Sequence, residues 1–221
     1  SEVVQKTLYD NYGVESTVVC NGIVTSCFVS RPKTMPKGQL RVVMVSRLEH
    51  DKKGQDLLIR AAAALQGTVT VDFIGIGSSM EYLKQLTAEL HAETYVRFLG
   101  KQTQDYVAAH LTDYDLFVQP SRWEGFGLTV AEAMAAGGPV LGSEGEGPAE
   151  VTQGSRYGWL FANGDADDLQ RQIVFIKENY GEAMTKADEA KDYVRNTYDV
   201  SVTARAYLQE YEKIVCGCSK S

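Results

Sequence analysis

The stretch DLFVQPSRWEGFGLTVAEAMAAGGPVLGS, residues 115–143, has the pattern of a strand, a helix and a second strand. Its two ends, DLFVQP (115–120) and PVLGS (139–143), are short and largely continuous in their apolar residues. Such strands are typical of parallel sheets that are covered on both faces. A helix is predicted at 128–136, and the Gly-Gly-Pro sequence that follows favours a helix end. The stretch therefore predicts one unit of a parallel α/β sheet.

The same alternation extends from residue 41 onward. Further strands are predicted at 41–46, 69–75, 95–100 and 158–162. Further helices are predicted at 54–65, 78–91, 103–111, 166–179, 182–197 and 201–214, with Asp165 as the N-cap of the helix at 166. The first 40 residues differ, with a helix at 2–11, a short strand STVVCNG (16–22) and a loop that contains Pro32 and Pro36. The predicted fold is α/β, a Rossmann-like parallel sheet of about six strands with helices on both faces.

Composition limits the classes of partner. The chain has 221 residues, 44% of them hydrophobic, which is enough for one substantial core and favours a single domain. A net charge of -7 argues against nucleic acid and anionic membranes as partners, although a small anionic ligand needs only a few local cations. No apolar run approaches the roughly 18 residues that cross a bilayer, and no signal peptide is evident. We expect a soluble cytoplasmic protein with reduced thiols, in which Cys216 and Cys218 form either a metal or redox pair or part of a polar tail.

Two of the loops that follow the strands are weak binding motifs when each is taken alone. The loop SRLEHDKKGQD (46–56) places Arg47 and Lys53 before a helix opened by Gly54, so two cations could meet an anion there. Equally, Arg47 could cap the strand and Lys53 could be solvated. The loop GIGSSM (75–80) lacks the third glycine of a dinucleotide site and is poor evidence for NAD. It indicates a close backbone approach to a ligand or a tight turn.

The loop SRWEGFGL (121–128) carries more information. Glu124 lies in its turn and Glu132 lies on the following helix, whose first amides near Gly127 could bind phosphate oxygens. A carboxylate can accept hydrogen bonds from two neighbouring hydroxyls, as in a ribose or another sugar. In the alternative interpretation Glu132 caps a helix start and Glu124 is a surface residue.

These motifs resemble a known family. The pattern E-G-F-G-L-x-x-x-E-A-M-A-x-G-x-P-V resembles the Glu-x7-Glu signature of glycosyltransferase family 4, whose members are retaining enzymes with the GT-B fold. Other stretches resemble this family in the same order, namely NGI (21–23), VSRLEHDKKGQDLLIRA (45–61), FIGIGS (73–78), VRFLGK (96–101) and DLFVQPS (115–121). The loop SEGEGPAE (143–150) departs from the family pattern Ser-Asp-x-Gly-Gly-x-x-Glu, because Glu146 replaces the first glycine. Ser143, Gly147 and Glu150 match that pattern.

The resemblance implies roles for individual residues. Arg47 and Lys53 would bind the diphosphate of a nucleotide sugar, Glu132 the ribose hydroxyls, and Glu124 the transferred sugar. Backbone groups would touch the sugar and phosphate at Gly125, Phe126, Gly127 and Leu128, and the base would lie near Gly100 and Lys101. The donor would be a UDP-, GDP- or ADP-sugar. We expect no metal, because no candidate loop has an Asp-x-Asp ligand pair.

The resemblance also implies a place in a larger enzyme. Residues 1–221 would form a single domain, the C-terminal, donor-binding half of a GT-B enzyme. Residues 1–22 would connect it to an N-terminal domain that this chain lacks, and 200–221 would be a closing helix and tail. Apolar residues of that helix would then be partly uncovered, namely Val202, Ala206, Tyr207, Leu208 and Tyr211.

The implied activity is transfer of a hexosyl-type sugar, with retention, to a glycan, a lipid-linked or a small-molecule acceptor. The pathway would be synthesis of glycans, surface polysaccharide or glycolipid, at the inner face of the membrane through the absent domain. The alternative is a nucleotide or nucleotide-sugar binding module without turnover. A Rossmann oxidoreductase is disfavoured by the incomplete glycine motif.

Overall fold

The computed structural model describes residues 1–218. Its centre is one sheet of six parallel strands in the order β3-β2-β1-β4-β5-β6. The strands are β1 (Leu40–Val45), β2 (Val69–Ile74), β3 (Val96–Gly100), β4 (Leu116–Gln119), β5 (Val140–Ser143) and β6 (Trp159–Phe161). The predicted α/β fold is confirmed, and each of the six predicted strands is present.

The helices lie between and after these strands. They are α1 (Glu2–Tyr12), α2 (His50–Lys53), α3 (Gln55–Ala64), α4 (Met80–Glu89), α5 (Gln104–His110), α6 (Leu128–Ala135), α7 (Gly147–Val151), α8 (Ala166–Glu178), α9 (Tyr180–Thr197) and α10 (Val200–Cys218). All the predicted helices are present, and α2 and α7 were not predicted. Asp165 caps α8 as predicted, since its carboxylate accepts hydrogen bonds from the amides of Asp167 and Asp168.

Both faces of the sheet are covered by apolar side chains. On one face, Met44 and Phe73 of the strands pack with residues of α3, α4 and α8. On the other face, Val43 and Phe117 pack with residues of α5, α6 and α9. Burial on both faces explains why the strands are continuously apolar in the sequence.

The strand predicted at 16–22 is wrong. Residues 13–22 have no regular secondary structure, and the backbone pairs only at Ile23, which forms an isolated bridge with Asp199. The stretch is rich in valine, but a strand also needs a partner that supplies hydrogen bonds along its length. The two edges of the sheet are formed by β3 and β6 instead.

The last helix is largely uncovered, as predicted. Tyr207, Leu208 and Tyr211 of α10 are exposed, and Val202 and Ala206 are partly buried. The helix continues past the predicted end at 214, so Cys216 is an exposed helical residue and not part of an irregular tail. The side chain of Cys218 and residues 219–221 lie outside the described part of the chain. Within residues 1–218 no helix combines the length and the apolar character needed to cross a membrane.

Candidate functional site

A cleft of about 570 Å³ opens at the carboxyl ends of β1 and β4. The chain runs from β1 outward to β2 and β3 and then crosses back to β4, so β1 and β4 are neighbours with helices leaving in opposite directions. This reversal point is where open parallel sheets bind ligands. Seven of the predicted site residues line the cleft, namely Arg47, Lys53, Glu124, Gly125, Phe126, Gly127 and Leu128.

Lys53 and Glu124 form an ion pair within the cleft wall. The Nζ atom of Lys53 lies 2.6 Å from Oε2 of Glu124, and the two side chains are only 16% and 18% exposed. The alternative interpretations of a solvated Lys53 and a surface Glu124 are therefore wrong. Two charges removed from water in this way stabilise each other, and either one alone would be costly to bury.

Arg47 lies at the rim of the cleft and is separate from this pair. Its side chain is 71% exposed, and its Nη1 atom lies 3.0 Å from Oε1 of Glu49. An exposed ion pair of this type contributes little stability. The guanidinium group is therefore free to exchange Glu49 for an anion in the cleft.

The loop before Glu124 is fastened to α2 and α3. Arg122 donates two hydrogen bonds to the buried carboxylate of Asp56, at 2.8 and 2.7 Å, and one to the carbonyl of His50 at 2.7 Å. The bonds to Asp56 raise the pKa of Arg122 further. The amide of Trp123 donates to the carbonyl of Lys52 at 3.0 Å. These contacts bring Glu124 to Lys53 although the two lie 71 residues apart in the sequence.

The N-terminus of α6 also faces the cleft. Gly127, at φ 91°, is its N-cap and offers no side chain to the first amides. Within residues 1–218, no group accepts a hydrogen bond from the amides of Leu128 or Thr129, both of which line the cleft. Unpaired amides at the start of a helix are donors for an anion.

Glu132 lies one turn further along α6 and does not line the cleft. Its Oε1 atom accepts a hydrogen bond from Nε2 of Gln104 at 2.9 Å, and burial raises the pKa of the carboxyl group. It does not cap a helix start, since Gly127 has that position. Gln104 begins α5, directly after the loop with Gly100 and Lys101, so Glu132 faces the loop predicted to lie near the base.

Gly100 and Lys101 themselves are outside the cleft. Lys101 is exposed, and the carbonyl of Gly100 accepts a hydrogen bond from the amide of Gly75 at 2.8 Å. The contact of this loop with a base stays a prediction.

The glycines of the GIGSSM loop are explained by the protein's own backbone. A Cβ atom at Gly75 would lie 1.9 Å from the carbonyl oxygen of Ser46, and one at Gly77 would lie 2.3 Å from that of Leu48. These distances are shorter than any side chain permits. The GIGSSM loop therefore packs closely, backbone against backbone, on the loop that carries Arg47.

Gln119 and Glu146 are among the contributors to the site that were not predicted. Gln119 lines the cleft and is fully buried. Its side-chain Nε2 donates a hydrogen bond to the hydroxyl of Ser121, and its Oε1 accepts one from the hydroxyl of Thr129. Glu146 accepts a hydrogen bond from the amide of Glu124 at 2.7 Å. Its replacement of a family glycine was visible in the sequence, but a contact across 22 positions was not.

Comparison with known proteins identifies the family of this chain. Residues 28–198 match the family of glycosyl transferases group 1. The chain is similar to the amylovoran biosynthesis glycosyltransferase AmsK of Erwinia amylovora, with 28% identity over 184 residues, 79% of this chain and 45% of AmsK. It is also similar to the N-acetyl-alpha-D-glucosaminyl L-malate synthase of Bacillus anthracis, with 30% identity over 175 residues, 78% of this chain and 44% of the synthase.

A solved structure of the Anabaena protein Alr3699/HepE in complex with UDP has a TM-score of 0.79 and 26% identity, and the match covers 89% of this chain and 57% of that protein. The chain spans about half the length of the curated relatives it matches. Because the family match covers more than half of its residues, the chain belongs to the group 1 glycosyltransferases, which have the GT-B fold.

Proposed function

We propose that this chain is the donor-binding half of a nucleotide-sugar-dependent glycosyltransferase that transfers a hexosyl-type sugar with retention. One observation carries the proposal: Lys53, Arg47 and the unpaired amides of α6 surround the same cleft as Glu124. The cations and amides suit a diphosphate, and a carboxylate beside them suits sugar hydroxyls.

The chemistry requires charge stabilisation at the leaving group. Departure of a nucleoside diphosphate leaves negative charge on its terminal phosphate, and preformed donors lower the energy of that state. In the proposed role, Lys53 and the amides of Leu128 and Thr129 supply those donors without a metal. Glu132 holds the ribose, and Gly100 and Lys101 lie beside the base.

The similarity to HepE, whose structure contains UDP, supports UDP as the first nucleotide to test. AmsK is named for the synthesis of the polysaccharide amylovoran, and this supports a role in surface polysaccharide or glycolipid synthesis. The acceptor would then be a glycan, a lipid-linked sugar or a small molecule on the cytoplasmic side of the membrane. It would be bound mainly by a second, N-terminal domain.

The test is calorimetric titration of the chain with UDP, GDP, ADP and NAD. We expect one nucleoside diphosphate to bind and NAD not to bind. Binding of NAD alone would support an oxidoreductase. No nucleotide binding would contradict the proposal, and nucleotide binding without turnover by a longer protein with both domains would identify a binding module.

Arg47 gives a sharper prediction. Arg47→Ala should weaken binding of the nucleoside diphosphate by about 1.5 to 3 kcal/mol, the range of a charge-assisted hydrogen bond. Binding of the nucleoside alone should not change, because Arg47 is predicted to touch only phosphate. Arg171→Ala is a matched control, since this arginine is also exposed and lies on α8. Equal losses for nucleotide and nucleoside would contradict the assignment.

A further inference from the structure

The loop that follows β5 packs backbone to backbone against the loop that contains Glu124. A Cβ atom at Gly147 would lie 2.4 to 2.5 Å from the backbone of Phe126, so no other residue fits there without displacement. The hydroxyl of Ser143 donates to the carbonyl of Ser121 at 2.5 Å. The two loops are therefore in contact from residue 121 to residue 126.

Within this contact, Glu124 is bound through both of its backbone polar groups. Its carbonyl accepts a hydrogen bond from the amide of Gly147 at 2.8 Å. Its amide donates to Oε2 of Glu146 at 2.7 Å. The first bond needs only a backbone and is available to any sequence. The second bond needs an acceptor side chain, which the glycine of the family pattern does not have.

We propose that Glu146 is a positioning residue that fixes the backbone of Glu124, and thereby sets how strongly the site recognises the transferred sugar; this inference rests on the proposed function. Glu146 does not line the cleft, so it acts through Glu124 and not by touching the donor. The side chain of Glu124 must satisfy Lys53 and the sugar in a fixed geometry. A backbone held at both its amide and its carbonyl leaves that side chain fewer orientations to lose on binding.

Two substitutions separate position from charge. Glu146→Ala removes the acceptor and leaves the amide of Glu124 without its protein partner. Glu146→Gln removes the charge but keeps a side-chain oxygen that can accept the same hydrogen bond. Glu144→Ala is the matched control, because Glu144 lies in the same loop and is exposed, and its side chain has no hydrogen bond within residues 1–218.

The first readout is the dissociation constant for UDP divided by the dissociation constant for UDP-glucose. This ratio isolates the contribution of the sugar to binding. We expect Glu146→Ala to lower this ratio by about threefold to tenfold, the effect of one hydrogen bond. The affinity for UDP itself should change little, since Lys53, Arg47 and the α6 amides are untouched. Glu146→Gln should keep most of the ratio, and Glu144→Ala should keep all of it.

The second readout needs no ligand. Hydrogen exchange at the amide of Glu124, followed by NMR, should be slow in the wild type and in Glu146→Gln and faster in Glu146→Ala. Should Glu146→Ala fail to fold, Glu146→Gly takes its place, because the family pattern has glycine there.

The outcomes distinguish this inference from the proposed function. An unchanged sugar contribution in Glu146→Ala, or an equal loss in Glu146→Gln, overturns the positioning role. A wild type that binds UDP and UDP-glucose equally also overturns it. Failure of the wild type to bind UDP, GDP or ADP overturns the proposed function instead, whereas the exchange rate of the Glu124 amide still reports on the bond.

Discussion

In the free chain, Glu124 neutralises the cation that is proposed to bind a diphosphate. A nucleotide that binds as proposed would therefore compete with Glu124 for Lys53, and its negative charge would approach a carboxylate. The pair holds Lys53 in place in the free chain, and in the proposed function it would lower the affinity for a nucleotide that carries no sugar. Glu124 is thus expected to oppose binding of the product nucleotide and to favour binding of the sugar donor.

Glu124→Gln tests this opposition. We expect it to increase affinity for UDP by about 1 kcal/mol, because a repulsive charge near the diphosphate is removed. The same variant should lose the added affinity for UDP-glucose and some thermal stability, since Lys53 loses its charged partner. Titration and thermal unfolding measure these effects, with Glu144→Gln as a control for net charge. Weaker binding of UDP by Glu124→Gln would contradict the competition.

The buried carboxylate of Glu132 is expected to lower the stability of the folded chain, in addition to its proposed role at the ribose. Burial raises its pKa in the folded chain, so the folded state holds this proton more tightly than the unfolded state. Stability therefore falls as the pH rises from the unfolded pKa through the folded pKa. Glu132→Gln removes this cost, and should stabilise the chain at pH 7 with a gain that disappears in acid.

The same substitution should reduce the preference for UDP over 2′-deoxy-UDP. In the wild type, Oε1 of Glu132 keeps its hydrogen bond from Gln104, but the missing hydroxyl would remove a ligand donor from a desolvated carboxylate, a loss that a neutral amide tolerates better. Denaturant unfolding at pH 4 and pH 7 and titration with the two nucleotides measure the two effects. Equal binding of both nucleotides by the wild type would contradict the ribose assignment.

At this scale, the sequence predicted candidate site residues but not which of them touch. Lys53 and Glu124 were predicted from their motifs. Their direct contact depends on the hydrogen bonds from Arg122 to Asp56, which join the two motifs across 66 positions and which neither motif encodes. The bond from Glu124 to Glu146 likewise depends on the spacing between two loops, which a pattern along the chain does not encode.

At the scale of helices and strands, the prediction was accurate where periodicity is strong. The predicted strand ends lie within one residue of the observed ones, because a strand buried on both faces is apolar throughout. Helices α2 and α7 were missed because they have four and five residues, too few for a hydrophobic period. The false strand at 16–22 had the right residue types but no neighbouring strand to pair with.

The junction of α2 and α3 depends on Gly54. This residue ends α2 and begins α3 at φ 68°, and a Cβ atom there would lie 1.9 Å from the carbonyl oxygen of Pro120 at the end of β4. The close approach holds Lys53 against the loop after β4. A side chain at position 54 would separate these elements as well as strain the backbone.

Gly54→Ala should therefore destabilise the chain by about 2 to 5 kcal/mol, a sum of left-handed strain and steric overlap. Gly164→Ala is the control, because Gly164 has φ 83° but nothing within 4 Å of the added Cβ atom. It should cost only about 1 kcal/mol, the strain alone. Urea unfolding measures the free energy of unfolding of the two variants. Equal losses of stability would show that overlap with Pro120 contributes nothing to the effect of Gly54→Ala.

At the scale of the whole molecule, the proposed function gives the described domain one wall of an active site. The cleft is open, and the proposed contacts all serve the donor. The exposed apolar residues of α10 would be covered in part by the proposed N-terminal domain. A second wall that orients an acceptor can supply roughly 7 to 11 kcal/mol of the barrier reduction through proximity.

We therefore expect the isolated chain to bind a nucleotide sugar but not to transfer its sugar. Water has free access to the cleft, so the cations also act in a higher dielectric and stabilise the leaving group less. Incubation with labelled UDP-sugars and a panel of acceptors, with affinity measured in parallel, is the test. A longer protein that includes both domains is the positive control, and rapid transfer by the isolated chain would contradict the prediction.

The order of the strands also has a consequence for folding kinetics. Strands β1 to β3 form one continuous half of the sheet and β4 to β6 the other, and the halves join where Val42 pairs with Leu116 and Arg41 binds Asp115. Contacts so distant in sequence form slowly, because a long loop must close first. The cleft spans this joint, so neither half contains the whole of the proposed nucleotide site. With the proposed function, a refolding chain is expected to gain affinity for a nucleotide only when the halves have docked. A bound nucleotide should then slow the separation of the halves without speeding the folding of either half.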